Sequence, residues 1–511
     1  MSPRASFYRK IIYLAAVSLL LAVLYPVSHP STSGGDPGGV LAQVRHDHQL
    51  TEAQLGDIDP TGETIKLATF GLRGVAANIL WTKAFNYKKK KDWTKLSATL
   101  QQIIKLQPHF LVVWRFQAHN LSYNVSAEFD DYRQRFLWVI KGIEFLKQGV
   151  RYNEREPRLY SDIGWFTSQK IGRADEHKQF RVLFRDPEDF YGVFAQDPVY
   201  PPSARPMEFR DNWLVGKDWY ARAEEVAERE HVPVSEILFY SHRPKCQMNY
   251  AEALEEDGVF KEKARQAWSR AEREWNEYGN RELTVGRGQV IRLNDFEQYA
   301  ADVAKYREQL EAMAPGLRKK LQEEKRARLS KAEREALDTP PEKRTQAQWQ
   351  LAGEAEAKLV VDHREVAQRV TGSKRRQALE LAQKLRTAER LGARIEGYRS
   401  IVAFPWWRMH AQVEQTPEAL AARELIYEAD EAYRLGDLVT AKAKYDAGLE
   451  KWREVLDNPR FPTLVGDGQY GRELRELIGK YQRVLDKRDE PFPEDFILQD
   501  IIDRHGEPIE P

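Results

Sequence analysis

The sequence contains a single cysteine, Cys246, among its 511 residues. One cysteine excludes an intramolecular disulfide and a cysteine-based metal cage. The sequence also lacks a P-loop, a G-x-S-x-G nucleophile elbow, an H-E-x-x-H zinc motif and a G-x-G-x-x-G dinucleotide fingerprint. We therefore expect no cofactor and no catalytic residue set, and we do not expect the chain to be an enzyme.

An excess of charge of one sign is missing too, because 79 basic residues stand against 78 acidic ones. A nucleic-acid partner is therefore not expected. Histidines number only 11. His46, Asp47 and His48 fall in a linker-like segment, where solvation explains them, and His109 and His119 would lie about 15 Å apart along one helix, too far to share an ion. No metal site is expected.

A long apolar run is present at the N-terminus. Arg4, Arg9 and Lys10 precede an uncharged stretch of 18 residues, 11–28, which would span about 27 Å as a helix. A cleaved signal peptide is the alternative, but no convincing small-x-small cleavage site follows. We predict an uncleaved signal-anchor. The positive charge before the run places the N-terminus in the cytoplasm and the bulk of the chain outside it.

The rest of the chain reads as helical, with apolar residues at helical spacing broken by Gly- and Pro-rich stretches. We expect an all-α fold with a helical solenoid, a long helical hairpin and the N-terminal transmembrane helix. The hairpin's second arm is predicted as one helix over 345–396. The predicted segments are an anchor (1–28), a flexible tether (29–62), helical repeats (63–187), a loop-rich and helical region (188–296), a coiled-coil-like hairpin (297–400), C-terminal repeat-like helices (401–486) and an irregular tail (487–511).

A 34-residue frame describes the helical repeats. With Pro108 at position 32 of one unit, Trp114 and Ala118 fall at positions 4 and 8 of the next. Gly142 and Gly149 then occupy positions 20 and 27, provided that 12 extra residues lie around "NVSAEFDDYRQ". Small residues at positions 8, 20 and 27 allow paired helices to approach closely, and large residues fill the gaps between them.

Two further units follow the same frame. In the third unit Tyr160 and Gly164 fall at positions 4 and 8, but Glu176 at position 20 is wrong for a packed small residue, so this unit is predicted to be degenerate or capping. The best single match is "ELIYEADEAYRLGDLVTAKAKYDAGLEKWREVL", with Ala429 at position 8 and Gly448 at position 27.

This spacing resembles the tetratricopeptide repeat. The first block also resembles uncharacterised, membrane-anchored bacterial proteins of this repeat type. In tetratricopeptide solenoids, positions 2, 5, 9 and 12–13 of each first helix line a concave groove, and the resemblance carries that role to this chain. The implied groove residues are Asn78, Trp81, Phe85, Arg115, His119, Tyr123, Arg158, Trp165 and Gln169.

Such a lining suits an extended peptide, especially one with carboxylates. The resemblance therefore implies a membrane-anchored scaffold or adaptor that binds a protein partner at the cell envelope. This hypothesis predicts that Arg115→Ala or Trp165→Ala weakens partner capture. Two alternatives stay open. The chain's own loops at 184–245 fill the groove and the protein is a spacer, or that region is the site of a cell-envelope enzyme or enzyme accessory.

Overall fold

The computed structural model describes residues 3–28, 38–47, 73–185, 210–286 and 288–509. The described residues are almost entirely helical, so the all-α class is confirmed. One short antiparallel hairpin, β1 (Leu283–Val285) and β2 (Gln289–Ile291), is present in addition. The chain divides into two compact units, Met1–Val234 and Ser235–Pro511.

The first unit begins with α1 (Pro3–Ser28) and α2 (Val40–Asp47). Helix α2 lies within the segment predicted as a tether, so that part of the segment is helical, while 29–37 and 48–62 fall outside the described residues. Apolar side chains of α1 are exposed, among them Ile12, Leu14 and Leu20. In the described ranges, no helix is both long enough and apolar enough to cross a membrane.

Three helix pairs form the body of the first unit. Its helices are α3 (Arg73–Lys89), α4 (Trp93–Leu106), α5 (Leu111–His119), α6 (Tyr132–Tyr152), α7 (Pro157–Trp165), α8 (His177–Arg185) and α9 (Asn212–Arg229). Helix α3 packs on α4, α5 on α6, and α7 on α9. Within the loop-rich and helical region the sequence predicts one helix at about 212–230, and α9 confirms it.

Side-chain caps fix where several of these helices begin. The carboxylate of Asp92 accepts a hydrogen bond from the backbone N–H of Lys95 at the start of α4, and Asp131 does the same for Arg133 at the start of α6. Helix α7 begins with Pro157, whose missing N–H costs nothing in a first turn. These caps satisfy backbone donors that would otherwise face solvent or the core unpaired.

Glycine allows the second pair to pack closely. A Cβ at Gly142 of α6 would lie 2.8 Å from the carbonyl oxygen of Ala118, and one at Gly149 would lie 2.9 Å from Cδ2 of Trp114. Both distances are too short for a real side chain, so only glycine fits. Trp114 is 2% exposed and fills the space that the second glycine leaves.

The first helices of the second and third pairs share a widened turn. Helix α5 continues into a π-turn, Asn120–Val125, and α7 continues into another, Phe166–Lys170. Each turn carries a buried serine, Ser122 or Ser168, that faces a glycine of the partner helix. The 12-residue insertion predicted after Asn124 is therefore largely an ordered extension of a helix rather than an open loop. Turns of this kind are frequent at functional sites.

The second helix of the third pair is not where the repeat frame placed it. The frame puts Glu176 at position 20, where a packed small residue is expected, and therefore predicts a degenerate or capping unit. Instead, α9 packs on α7, and a Cβ at Gly216 would lie 3.1 Å from the carbonyl oxygen of Gly164. Glu176 pairs with Arg135. An insertion that contains α8 separates the two helices of the pair, so counting at fixed length missed α9.

The second unit contains fourteen α-helices in its described part. They are α10 (Glu236–Phe239), α11 (His242–Glu256), α12 (Lys261–Asn280), α13 (Asp295–Met313), α14 (Leu317–Ala327), α15 (Lys331–Asp338), α16 (Gln346–Leu359), α17 (His363–Arg369), α18 (Arg375–Ile401), α19 (Phe404–Glu414), α20 (Pro417–Arg434), α21 (Leu438–Leu456), α22 (Gly468–Lys487) and α23 (Gln499–His505). Three apolar clusters hold them together.

The single long helix predicted over 345–396 is wrong, because the chain there forms α16, α17 and α18. Asp362 caps the start of α17, and Gly372, with φ of 73°, turns the chain before α18. Helix α13 packs against α18, and α15 packs against α16. The hairpin region therefore consists of two helix pairs. In the sequence, the pair of α15 and α16 lies between α13 and α18, which form the other pair.

The C-terminal repeat-like hairpin consists of α20 and α21, and these two helices pack closely. A Cβ at Gly448 would lie 2.6 Å from Cδ1 of Ile426, so glycine is required here as well. The tail predicted as irregular contains α23, and Phe496, Leu498 and Ile501 are buried. The apolar residues of this C-terminal tail explain why it packs.

Candidate functional site

Aromatic side chains of α3, α5 and α7 form a connected surface on the first unit. We call it the aromatic strip, and its residues are Trp81, Phe85, Phe116, His119, Tyr123 and Trp165. The ring centroids of Trp81 and Phe116 are 5.3 Å apart, and those of Phe85 and Phe116 are 6.0 Å apart. Phe116 and His119 are three residues apart on α5, which places them on the same helix face.

The π-turn after α5 builds the other half of the strip. It places Tyr123 against His119, with ring centroids 4.5 Å apart in a stacked arrangement. Burial raises the pKa of the Tyr123 hydroxyl, and the neighbouring side chain of Trp165 opposes that rise. The ring of Phe166, the residue after Trp165, lies 5.8 Å from the ring of Tyr123, and this contact joins the third helix pair to the second. The repeat frame predicted five of the six strip residues and missed Phe116.

Two lysines lie over the rings of the strip. The Nζ atom of Lys88 is 4.8 Å from the ring centroid of Phe116, and that of Lys170 is 4.4 Å from the ring centroid of Tyr123. Among the described residues, neither ammonium group has a carboxylate within 4.0 Å. Cation–π contact stabilises such a charge by about 0.5–2 kcal/mol, less than full solvation or an anionic partner.

The imidazole of His119 lies within the influence of both lysines. Burial lowers its pKa, and the charges of Lys88 and Lys170 lower it further. Burial also lowers the pKa of Lys170 itself. His119 is therefore neutral at neutral pH, and this part of the strip is a half-buried region of positive potential.

Arg115 does not offer a free guanidinium. Its Nη2 donates to Oδ1 of Asp162 at 3.1 Å, and its Nε donates to the other carboxylate oxygen. Burial raises the pKa of Asp162, although the bonds from Arg115 oppose that rise. The pair joins α5 to α7. The role predicted for Arg115, binding a partner's carboxylate, competes with this internal partner.

Three predicted groove residues lie away from the ring contacts. Asn78 is exposed on α3, and its carbonyl oxygen accepts from the Thr82 hydroxyl at 3.1 Å. Arg158 lies beside Glu156 at the start of α7, with 3.8 Å between Nε and the carboxylate. Gln169 is half-buried in the second π-turn. They border the strip rather than form it.

Much of the strip is open to solvent in the described structure. Phe85 is 44% exposed and Trp165 is 45% exposed, which is high for large aromatic side chains. Of the segment 184–245, which the alternative interpretation placed in the groove, residues 186–209 lie outside the described residues. The exposed rings therefore form a surface suited to a partner.

The C-terminal hairpin provides a contrast. Its corresponding positions are covered by the chain's own helix α22, because Asp430 accepts from Nζ of Lys480 at 2.7 Å. The ring of Tyr433 lies 4.5 Å from Nζ of Lys487. Here the unit fills its own surface with lysines, whereas in the described part of the chain no carboxylate lies within 4.0 Å of either lysine of the strip.

The repeat region carries a strong local charge that the near-neutral total conceals. Residues 73–185 contain 21 basic and 10 acidic side chains, a net charge of +11. This imbalance is readable from the sequence and indicates a region of positive potential.

A buried polar network in the second unit is a second cluster of ionisable groups. We call it the Glu414 network, and its residues are Glu255, His410, Glu414, Arg423, Tyr470 and Glu473. Arg423 binds both carboxylate oxygens of Glu414, at 2.7 and 3.0 Å. The Tyr470 hydroxyl lies 3.2 Å from the same carboxylate and 2.7 Å from Nδ1 of His410.

Ionisation in this network is uneven. Burial opposes the charge on Glu414, but Arg423 and its hydrogen bonds hold the pKa of that carboxyl below its usual value. Burial raises the pKa of Glu255 to about 8, and the charge of Glu414 adds to the rise. The indole of Trp268 donates to Glu255 at 2.7 Å. Bidentate pairing and burial mark a structural network that joins four helices, and Trp268 connects it to a fifth, α12.

Glu255→Gln should flatten the pH dependence of stability. Between pH 4.5 and about 8 the folded chain holds a proton on Glu255 that the unfolded chain has lost, so the free energy of unfolding falls as pH rises. The neutral amide should reduce this loss by about 1–2 kcal/mol. Denaturant unfolding at pH 5 and pH 8.5 measures it, with exposed Glu356→Gln as control. The same change in the free energy of unfolding between pH 5 and pH 8.5 in Glu255→Gln and in wild type would refute the raised pKa of Glu255.

The region that the enzyme alternative favours has few reactive groups in its described part. Cys246 is 1% exposed on α11. Burial, then Lys245, lowers the pKa of His242 to about 4, so this histidine is a weak base. Ser241 is the N-cap of α11, and His242 is the first residue of that helix. The described ranges contain no group of three or more metal-type ligands.

Comparison with known protein families, with curated proteins and with solved structures finds no match to this chain. The case for a function therefore rests on the geometry of the strip.

Proposed function

We propose that the chain is a tetratricopeptide-like scaffold that binds a protein partner through an extended segment of that partner, which lies along the aromatic strip. The observation that supports this is the half-exposed set of rings on three successive first helices, with Lys88 and Lys170 beside them. Exposed tryptophan and phenylalanine offer large contact area at little cost in conformational entropy. The strip offers surfaces for binding and no nucleophile paired with a base.

We also propose that residues 1–28 hold the protein in the membrane of the cell envelope, with the bulk of the chain outside the cytoplasm. The support is the uncharged run of 18 residues after three basic ones and the exposed apolar side chains of α1. Washing the membranes with alkaline carbonate should leave the full chain in the membrane fraction. Release of the chain into the supernatant would contradict the proposed membrane anchor.

Phe85→Ala and Trp165→Ala should each lower partner recovery at least about tenfold without unfolding the protein, because truncation of an exposed anchor removes contact area and leaves the core intact. The measurement is quantitative capture by tagged full chains from solubilised membranes. Trp349→Ala, which removes a 52%-exposed tryptophan elsewhere, is the matched control. Recovery of the same proteins by all three variants at wild-type levels would contradict the proposal.

A further inference from the structure

The strongest unexplained feature is a pair of cations without anionic partners in the described structure. Lys88 and Lys170 come from different helix pairs, and both lie against aromatic rings that shield them from water. The half-buried imidazole of His119 feels both charges. We call these three residues the anion seat.

The first helices around the seat share its sign. Helices α3, α5 and α7 with their two π-turns carry seven basic residues and one acidic residue, Asp162. That acidic residue is paired with Arg115. Asp175 and Glu176 act on Lys170 from beyond ion-pair distance, and Glu176 is paired with Arg135. The charge balance of these first helices stays positive, and an anionic group from a partner complements it.

We propose that the partner segment carries a carboxylate side chain that binds between Lys88 and Lys170 beside His119, and an apolar side chain that packs on Phe85 and Trp81. This rests on the proposed function, because it names the chemistry of the segment that lies on the strip. The carboxylate satisfies two ammonium groups at once, and the neighbouring rings receive the apolar side chain.

Binding of the carboxylate is coupled to a proton at His119. The groups that face this imidazole are Lys88 from α3, Lys170 from the second π-turn and the stacked ring of Tyr123. In the free protein burial disfavours the imidazolium most, and the charges of the two lysines add to that effect. A bound carboxylate opposes both causes and raises the pKa of His119, so affinity rises as pH falls.

The test uses the full chain in nanodiscs at physiological salt and an array of synthetic twelve-residue peptides. Each peptide carries one aspartate and one leucine at a separation of one to six residues, and a matched peptide has asparagine in place of aspartate. We expect the best aspartate peptide to bind at least about tenfold more tightly than its asparagine match, a difference of about 1.4 kcal/mol. Lys88→Met and Lys170→Met should abolish this preference, because methionine keeps the apolar stem and removes the charge.

Lys83→Met is the control, since this lysine is exposed on the same helix and outside the seat. It should keep the preference for aspartate, and His119→Gln should remove the gain in affinity at low pH. The proposal for the anion seat would be overturned if aspartate and asparagine peptides bind equally or if no peptide binds. It would also be overturned if Lys83→Met loses the preference for aspartate as much as Lys88→Met and Lys170→Met do. Binding that appears only after deletion of 186–209 would overturn it in favour of an internal occupant. If Trp165→Ala still loses its cellular partner in any of these cases, the scaffold function stands and the carboxylate does not.

Discussion

Glu414→Ala should lower the free energy of unfolding of the second unit by about 3–5 kcal/mol. Glu414 is completely buried, and Arg423 binds both of its oxygens. Removing the carboxylate leaves a largely enclosed guanidinium without its main counter-ion, and the Tyr470 hydroxyl loses an acceptor. The cost is high because these charges are held away from water.

Denaturant unfolding followed by hydrogen exchange in α19, α20 and α22 measures this effect. Glu454→Ala is the matched control, because Glu454 pairs with Lys451 on the surface at 2.7 Å with half of its side chain exposed. Surface pairs of this kind contribute about 0–1 kcal/mol. Equal losses in the two variants would show that the network is solvated and carries no structural role.

Trp114→Ala should destabilise the first unit by about 3–5 kcal/mol. The indole is 2% exposed, its Nε1 donates to the carbonyl oxygen of Pro108 at 2.7 Å, and it fills the space beside Gly149. Its ring also packs on Phe145, with centroids 5.0 Å apart. Alanine leaves a cavity between α5 and α6 that the rigid helix pair cannot close.

Hydrogen exchange over 111–152 reports this loss locally. Trp138→Ala is the control, because Trp138 is half-buried on α6 and should cost about 1 kcal/mol. Unchanged protection of α5 in Trp114→Ala would mean that the tryptophan does not hold the pair together. Trp114→Ala should also disturb the aromatic strip, since α5 carries Phe116 and His119.

Fixed spacing was enough to predict the helix pairs that the chain builds without long interruptions. Gly142 and Gly149 were identified as small contact positions, and both face side chains or backbone that leave no room for a Cβ. The rule is local, because each repeat packs only on its neighbours. The rule failed where an insertion changed the spacing. The helix at about 212–230 was predicted, but the frame did not assign it, or Gly216, to the third pair.

The strip was predicted in outline for the same reason. Trp81, Phe85, His119, Tyr123 and Trp165 follow from the frame, whereas Lys170 comes to Tyr123 through a π-turn that the frame does not contain. The Glu414 network could not be predicted by local pattern. It joins Glu255 to Glu473 across 218 positions, and periodicity within a helix says nothing about such distant neighbours.

Site-specific photo-cross-linking in living cells tests the central claim most directly. A benzophenone amino acid replaces Trp165 in the strip or, as control, Trp349, which has similar exposure. The scaffold proposal predicts a discrete adduct with another protein from position 165, absent from position 349 and reduced when Phe85 is replaced by alanine. An adduct confined to the chain itself, no adduct from position 165, or the same adducts from both positions would contradict it.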